Sequence, residues 1–264
     1  MKLSNSIKAL LVALPILAVA PNTFAAGAES LVLDSVHIDS RDTESLQRGA
    51  ELFVTYCLSC HSAQYMRYER LANDLDISLE KLSQEMMFTT DKPGDLMIAA
   101  MPEEDAKEWF GVAPPDLTLV SRLRKNDWLY TYLRGFYLDE ASPNGWNNSV
   151  FENAAMPHAL YELQGSQTLV GHIEHGVEGA GDAQAGPQQG QKLVGDAIFE
   201  LQKAGTLSPT EFDTAMRDLV NFLSYLAEPA QLQRRAIGPW VMGWLVILFV
   251  VSYLLKKEYW RDVH

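Results

Sequence analysis

Uninterrupted apolar residues fill two segments of the chain, one near each end, and the lengths of these segments predict different roles. Residues 237–255 carry no charged side chain, and a run of about 20 apolar residues can cross a hydrocarbon core of roughly 30 Å as a helix. Residues 9–20 are also apolar but too few to cross, so an uncleaved anchor is the weaker interpretation. They follow two lysines and precede small residues, which is typical of a signal peptide over residues 1–25, cleaved after Ala25.

The two segments together predict the sidedness of the chain. Basic residues flank residues 237–255 on both sides, so the positive-inside rule alone barely decides the orientation. A signal peptide followed by one stop-transfer helix decides it. We expect residues 26–236 on the periplasmic side of a bacterial inner membrane, residues 237–255 as a single-pass anchor within the lipid, and residues 256–264 as a short cytoplasmic tail.

Between these segments the apolar positions repeat at helical spacing, which predicts a mainly α domain. Residues 43–56 repeat apolar side chains at steps of three and four. Ser208-Pro209-Thr210-Glu211 is typical of a capping box with proline at the first helical position, and a wide apolar face follows until Pro229. Residues 126–137 form a third predicted helix, with aromatic side chains able to line a core or pocket. Residues 176–190 are rich in glycine and glutamine and predict a loop.

The charge of the chain limits its partners. The formal net charge is −13 at pH 7, and removing the basic N-terminal segment leaves the exported part more acidic still. An acidic domain repels nucleic acid but attracts a basic soluble partner and raises its encounter rate. The charge therefore excludes nucleic acid as a partner. Because solubility alone explains the charge equally well, the charge does not establish that a basic protein partner exists.

The two cysteines of the chain stand in the string Cys57-Leu58-Ser59-Cys60-His61. This C-x-x-C-H string is the attachment signature of c-type haem. Two thiols one helical turn apart meet the two vinyl groups along one edge of the porphyrin, and the next residue places an imidazole at the iron. A thioredoxin-like dithiol does not require His61 and usually follows a strand. Zinc would need further ligands, and a single pair of cysteines is not a disulfide scaffold.

Two methionines compete for the second axial position on the iron, because Ala-Ala-Met-Pro occurs twice. Met101, in the first copy, precedes three acidic residues, whereas Met156, in the second, leads into a more apolar stretch that could exclude water. A methionine ligand raises the reduction potential of a haem. The residues alone favour Met156 and leave Met101 open. We interpret His172 and His175, beside the glycine-rich loop, as surface residues rather than metal ligands.

Several segments, in the same order along the chain, resemble the cytochrome c1 family. They are the haem motif with its flanks, an A-P-P-D-L segment, the second Ala-Ala-Met-Pro segment and the C-terminal end: residues 48–71, 111–119, 153–157 and 222–235. The resemblance covers nearly the whole chain after residue 25. It implies a mainly α, class I cytochrome c-like haem domain with long loop insertions, plus one C-terminal transmembrane helix. It also implies one covalently attached haem c, with His61 and Met156 as the iron ligands.

The resemblance further implies contacts to the haem. Pro115 of the A-P-P-D-L segment would pack against it, and an arginine shortly after that segment would pair with a propionate. Arg122 and Arg124 both lie in the right stretch, and we prefer Arg124. A partly buried propionate needs such a charge-assisted partner.

The function implied by the resemblance is that of the electron-transfer haem subunit of quinol–cytochrome c oxidoreductase, the bc1 complex. Such a subunit accepts electrons from the Rieske iron–sulfur protein and passes them to a cytochrome c, with no substrate-transforming site of its own. Cytochrome b and membrane lipid would surround its anchor within a dimeric multi-subunit complex. A free-standing tethered cytochrome, or the cytochrome subunit of a periplasmic dehydrogenase, explains the signal, haem and anchor equally well. A transmembrane haem sensor fits poorly, because only a short tail follows the anchor.

Overall fold

The computed structural model describes residues 31–172 and 191–262, which form a mainly helical domain followed by a long C-terminal helix. The predicted signal peptide and the predicted loop over residues 176–190 lie outside the described residues, as does His175. The helices are α1 (Thr43–Tyr56), α2 (Tyr68–Asp74), α3 (Leu79–Glu85), α4 (Glu103–Phe110), α5 (Val120–Arg124), α6 (Asn126–Arg134), α7 (Tyr161–Gln164), α8 (Pro209–Ala227) and α9 (Gln231–Tyr259).

The strands within the described ranges are short and antiparallel, and they form three small sheets. They are β1 (Ala63–Arg67), β2 (Leu96–Met97), β3 (Phe136–Leu138), β4 (Trp146–Asn148), β5 (Gly165–His172), β6 (Gln191–Val194) and β7 (Ala197–Ala204). β1 pairs with β2, β3 pairs with β4, and the third sheet has the order β5-β7-β6. The helices rather than these sheets supply most of the buried core.

Helix α1 is confirmed over the predicted residues, and it crosses α8 at very short range. A Cβ atom at Gly49 would lie 2.2 Å from the backbone oxygen of Asp218 and 2.7 Å from the Cβ atom of Phe222. Contacts that short are not tolerated, so only glycine lets the two backbones approach in this way. The crossing therefore fixes the direction of α1, whose last residue precedes the Cys57 turn.

Helix α8 carries the predicted capping box. The Ser208 side chain accepts a hydrogen bond from the Glu211 N–H, and the Glu211 carboxylate accepts one from the Ser208 N–H at 2.9 Å. The helix ends at Ala227, two residues before Pro229, as its sequence predicts. Its apolar face is buried in the core through Phe212, Met216, Leu219, Phe222 and Leu226.

The predicted helix over residues 126–137 is wrong at its C-terminal end. Helix α6 stops at Arg134, and Phe136–Leu138 forms β3, which pairs with β4. Gly135 separates the two elements: its carbonyl accepts a hydrogen bond from the Ser149 N–H at 3.0 Å, and a Cβ atom there would lie 2.5 Å from the Ser149 Oγ. Pairing with a later segment therefore overrides the local helical pattern.

A partly buried ionic cluster holds α6 against α8. The Arg134 side chain is 7 % exposed and donates to Asp213 at 2.7 Å and to Asp34 at 2.5 Å. Lys192 of β6 pairs with the same Asp213 at 2.6 Å. Two cations thus face two carboxylates, and the buried guanidinium has partners for its charge. The cluster fixes one side of α6, and the other side contributes to the site described below.

The sheet β5-β7-β6 is an addition to the helices that the apolar pattern predicts. The Gln167 side chain of β5 is buried and donates to the backbone oxygens of Arg134, at 3.0 Å, and Phe136, at 2.8 Å. These bonds attach the sheet to the end of α6. His172, the last residue of β5, is about half exposed, with its Nδ1 atom 3.6 Å from the Asp196 carboxylate.

Helix α9 contains the predicted anchor over residues 237–255 and extends beyond it at both ends. It is 29 residues long, its side chains are exposed, and by length and composition it could span a membrane. Since a helix rises 1.5 Å per residue, the apolar part alone approaches the thickness of a hydrocarbon core.

Candidate haem-binding site

The end of α1 presents both cysteines and the histidine on one continuous turn. The Cys57 N–H donates to the Phe53 carbonyl at 2.9 Å, and the His61 N–H donates to the Cys57 carbonyl at 2.8 Å. Leu58 is 1 % exposed and anchors the turn in the core. Cys57 and Cys60 are free thiols with intermediate exposure. The motif therefore forms a turn that carries two unpaired cysteines.

The pKa of the Cys57 thiol is shifted in the direction opposite to that of a reactive redox dithiol. Burial raises the pKa of this thiol to about 12, whereas the reactive cysteine of a C-x-x-C oxidoreductase has a lowered pKa. The cysteines also follow a helix rather than a strand. Both observations disfavour the thioredoxin-like alternative. Within residues 31–172 and 191–262, no group of three or more histidine, cysteine or acidic residues could hold a metal ion.

The A-P-P-D-L segment orients the His61 ring. The His61 Nδ1 atom lies 2.7 Å from the Pro115 carbonyl oxygen, which can only accept a hydrogen bond, so Nδ1 carries the proton and Nε2 keeps its lone pair. Burial lowers the pKa of His61, which favours the neutral ring. A histidine that binds a metal typically donates its other N–H to such a carbonyl. Pro115 thus contributes a backbone contact 54 residues from His61, which sequence spacing does not predict.

Asp116 ties this segment to the chain just after His61. Its carboxylate accepts hydrogen bonds from the Gln64 N–H at 2.8 Å and from the Thr118 N–H at 2.9 Å. In addition, the Leu117 N–H donates to the Ser62 carbonyl at 2.8 Å. Two of these bonds join residues 116–117 to residues 62–64, so the segment that follows the proline carbonyl is held beside the segment that follows His61.

Met156 lies against the aromatic face of α6. The Tyr132 hydroxyl donates a hydrogen bond to the Met156 Sδ atom at 3.5 Å, a normal length for a sulfur acceptor. The Asn144 side chain donates to the Ala155 carbonyl at 3.1 Å and so steadies the segment before the methionine. The Tyr132 ring stacks on Trp128. Sequence periodicity predicts that these rings line a core or pocket, but it does not pair Tyr132 with Met156.

Met101 has different surroundings. Its backbone N–H donates to the Ser59 carbonyl at 3.1 Å, so the first Ala-Ala-Met-Pro segment lies beside the cysteine turn. The same segment is bound to Ser62 through the Ala99 N–H at 2.9 Å. The two methionines therefore contact different parts of the site: Met101 adjoins the segment that carries His61, and Met156 adjoins α6.

The two candidate arginines differ in their contacts. The Arg124 guanidinium lies over the Trp128 ring, 4.9 Å from its centroid, and 5.8 Å from that of Phe151. In the described part of the chain neither Arg124 nor Arg122 forms an ion pair. The stack on Trp128 places Arg124 next to the residues that hold Met156, while Arg122 has no corresponding aromatic contact there.

His158, two residues after Met156, is a buried residue that the sequence does not single out. It is 2 % exposed, its ring stacks on Phe136 with centroids 5.0 Å apart, and it meets the Trp146 ring at a steep angle. Burial lowers the pKa of His158 to about 4, against a smaller opposing effect of the Gln164 side chain. Neither ring nitrogen makes a well-formed hydrogen bond within the described chain. His158 therefore packs as a neutral aromatic ring behind the Met156 segment.

The donor set fits a c-type haem. Two unpaired thiols stand one turn apart, one imidazole has its Nδ1 proton bound elsewhere, and one thioether lies among aromatic side chains. Such a haem would be held by the two cysteines and by His61, and Met156 could supply a second ligand of the kind found in cytochromes c. The sequence predicts the spacing of the two cysteines. It does not predict the contact of His61 with the Pro115 carbonyl or the contact of Met156 with Tyr132.

Comparisons with known proteins identify the family of the chain. Residues 35–263 match the Cytochrome C1 family. The chain is 50% identical over 248 residues to cytochrome c1 of Allochromatium vinosum, covering 94% of this chain and 96% of that protein. It is 42% identical over 245 residues to the ammonia monooxygenase gamma subunit of Nitrosomonas europaea, covering 93% and 94%. A solved chain of a hyperthermophilic respiratory complex III is more distant, with a TM-score of 0.42 and 15% identity over 98% of this chain and 99% of that chain. The chain therefore belongs to the cytochrome c1 family.

Proposed function

We propose that this chain is the one-electron carrier subunit of a quinol–cytochrome c oxidoreductase. It accepts electrons from a Rieske iron–sulfur protein and delivers them to a soluble or tethered cytochrome c. Membership of the cytochrome c1 family implies a covalently bound haem c, and Cys57 and Cys60 are cysteines that could bind it. When bound, that group supplies a one-electron couple between Fe(III) and Fe(II).

The observation that carries the proposal is the contact between His61 and Pro115. A carrier must keep the same iron ligands in both oxidation states, which requires an imidazole that cannot rotate. The 2.7 Å bond from Nδ1 to the Pro115 carbonyl holds the ring, and the Asp116 bonds hold the carbonyl. We assign His61 as one axial ligand on this basis.

We assign Met156 as the other axial ligand. Its sulfur is held by Tyr132 within an aromatic surround, whereas Met101 lies beside Ser59, in the segment that also carries His61. A ligand opposite the histidine should come from a different part of the structure than the histidine does. Because methionine raises the potential of a haem relative to a second histidine, this choice also suits a carrier near the oxidising end of a chain.

We assign Arg124 as the partner of a haem propionate. Its guanidinium stacks on Trp128 and has no carboxylate partner in the part of the chain that the structure describes. A cation that is fixed over an aromatic ring but lacks a counter-ion is well suited to an anionic group of the ligand. Arg122 remains the alternative, and Pro115 is proposed to pack against the haem face through its ring.

We propose helix α4 as the docking element for a basic electron acceptor. The helix begins with Glu103, Glu104 and Asp105 and continues with Glu108. It follows Met101, whose N–H binds the Ser59 carbonyl, so the acidic residues are joined closely to the cysteine turn. Lys107 neutralises only Glu103, at 2.6 Å. The remaining carboxylates form a negative surface that raises the encounter rate with a basic partner.

We propose that α9 anchors the chain in the bacterial inner membrane, with the haem domain in the periplasm and the C-terminus in the cytoplasm. The length and apolar composition of the helix support the span, and the predicted signal peptide supports the sidedness. The exposed apolar side chains of α9 would contact cytochrome b and lipid, in a complex that is a dimer of several subunits.

Purification of the tagged protein in mild detergent tests the function. We expect b-type haem to accompany a c-type band in the reduced-minus-oxidised spectrum, together with inhibitor-sensitive quinol:cytochrome c reductase activity. A c-type band alone, under several gentle conditions, would contradict the proposal and favour a free-standing tethered cytochrome or a dehydrogenase subunit. The name of the Nitrosomonas europaea relative makes ammonia oxidation a further activity to assay in the same preparation.

Substitution of the methionines tests the ligand assignment. We expect Met156→Leu to keep the haem covalently attached, to lower its reduction potential and to open the iron to carbon monoxide. Met101→Leu is the matched control, because it lies in the same Ala-Ala-Met-Pro sequence, and it should leave both properties unchanged. The opposite result for the two variants would assign the ligand to Met101.

A further inference from the structure

The hydroxyl of Tyr132 has a single hydrogen-bond partner among residues 31–172 and 191–262. It donates to the Met156 Sδ atom at 3.5 Å. Tyr132 is only partly exposed. A half-buried phenol that donates its hydrogen bond to a thioether is uncommon, because sulfur is a weak acceptor. Packing of the core accounts for the position of the ring but not for this hydrogen bond.

The Tyr132 ring is held in place independently of Met156. It stacks on Trp128 with centroids 4.8 Å apart and planes inclined by 11°, and it meets Phe136 edge to face at 5.1 Å. Its backbone carbonyl accepts a hydrogen bond from the buried Asn148 side chain at 2.8 Å. The scaffold thus positions the hydroxyl, and the hydroxyl in turn restricts the methionine.

We propose that Tyr132 is a positioning residue for the Met156 thioether: its hydrogen bond restrains the sulfur and would raise the reduction potential of a haem whose iron that sulfur binds. This inference rests on the proposed assignment of Met156 as an iron ligand. A thioether sulfur has two lone pairs, so it accepts the phenol proton with one and keeps the other for a metal.

The sign of the effect follows from the direction of the O–H dipole. The positive end of that dipole points at the sulfur, so it would act on an iron bound by that sulfur. A positive potential at the iron favours the state with one more electron, which is the reduced state. The effect persists in a partly dehydrated site, where the local dielectric constant is low. Removing the hydroxyl removes the dipole and one restraint on Met156, and both changes favour the oxidised state.

Tyr132→Phe, made in the full-length haem-loaded protein in detergent, isolates the hydroxyl. The ring and its stacking remain, so the variant should fold and keep its covalent haem. We expect the equilibrium constant for reduction to fall three- to tenfold, which at 59 mV per tenfold is about 30 to 60 mV. We also expect a weaker charge-transfer absorption of the methionine–Fe(III) bond. Tyr130→Phe is the matched control, since Tyr130 lies on the same helix but contacts Arg134 instead.

Three measurements decide the outcome: the reduction potential, the charge-transfer absorption and carbon monoxide binding. The inference is upheld if Tyr132→Phe lowers the potential while Tyr130→Phe does not. It is overturned if the two variants have the same potential, or if Tyr132→Phe raises it. Met156→Leu shows whether a negative result concerns the role of Tyr132 or the assignment of Met156 as the ligand. If Met156→Leu lowers the potential and Tyr132→Phe does not, the ligand is right and the role of Tyr132 is wrong. If Met156→Leu changes nothing, both are wrong.

Discussion

The crossing of α1 and α8 makes a sharp test of the fold, because it depends on the absence of a single methyl group. In Gly49→Ala the new Cβ atom would lie 2.2 Å from the Asp218 carbonyl oxygen. To reach an ordinary contact near 3.4 Å, the helices must separate by about 1 Å. Overpacking of this kind costs about 1–3 kcal/mol, and separating the helices also loosens the apolar contacts around Phe222.

One effect opposes this cost. Alanine is the better helix former by about 1 kcal/mol in a helix interior, so the expected net destabilisation is smaller than the packing cost alone. Because backbone rather than a flexible side chain blocks the methyl group, we place the packing cost at the upper end of its range. The variant should then lose about 2 kcal/mol, and less haem should be attached, since α1 leads into the Cys57 turn.

Guanidinium unfolding of the haem-loaded protein in detergent, followed by haem absorbance, measures the change. Gly94→Ala is the control, because a Cβ atom there meets nothing within 4 Å, and it should change the stability by less than about 0.5 kcal/mol. If Gly49→Ala were as stable as the unchanged protein and attached haem equally well, the helices would not cross as described, and the reasoning would be refuted.

Two further substitutions test the site. Asp116→Ala removes two hydrogen bonds from a carboxylate to backbone N–H groups and should cost about 2 kcal/mol, with a lower denaturant concentration for loss of the His61 ligand. The exposed loop residue Asp91 is the control, and equal midpoints for the two alanine variants would contradict the role of Asp116. Glu104→Gln combined with Glu108→Gln should slow reduction of a basic cytochrome c several-fold at low salt, with the difference fading as ionic strength rises. The same change at both glutamates of α3 should have little effect, and equal slowing by the two pairs would show that only net charge matters.

Local sequence patterns predict those features that depend on near neighbours. The helical repeat over residues 43–56 matches α1 because its side chains share one face within a few turns. The capping box at Ser208 works between residues three apart. The motif from Cys57 to His61 is likewise contained in one turn. Each of these is decided by bonds over fewer than five residues, so the order of residues is sufficient to foresee it.

Local patterns predict poorly where distant segments compete. The apolar repeat continues past Arg134, yet the chain turns there because Gly135 and the following strand pair with β4. The strands β5, β6 and β7 have mixed polar and apolar faces, so their alternation is too weak to recognise. In both cases the free energy of tertiary pairing exceeds the small differences in local propensity.

The sequence by itself determined that this protein carries a C-x-x-C-H motif, has the order of segments of the cytochrome c1 family and ends in a helix long enough to span a membrane. Only the tertiary structure decided which remote groups contact His61 and Met156. Pro115 reaches His61 across 54 residues, and Tyr132 reaches Met156 across 24 residues. Two copies of Ala-Ala-Met-Pro are equivalent as local chemistry, and they acquire different surroundings only when the chain is packed. Hydrogen bonds between such remote groups are sensitive to shifts of a few tenths of an ångström, and the packing of the whole core sets their distances.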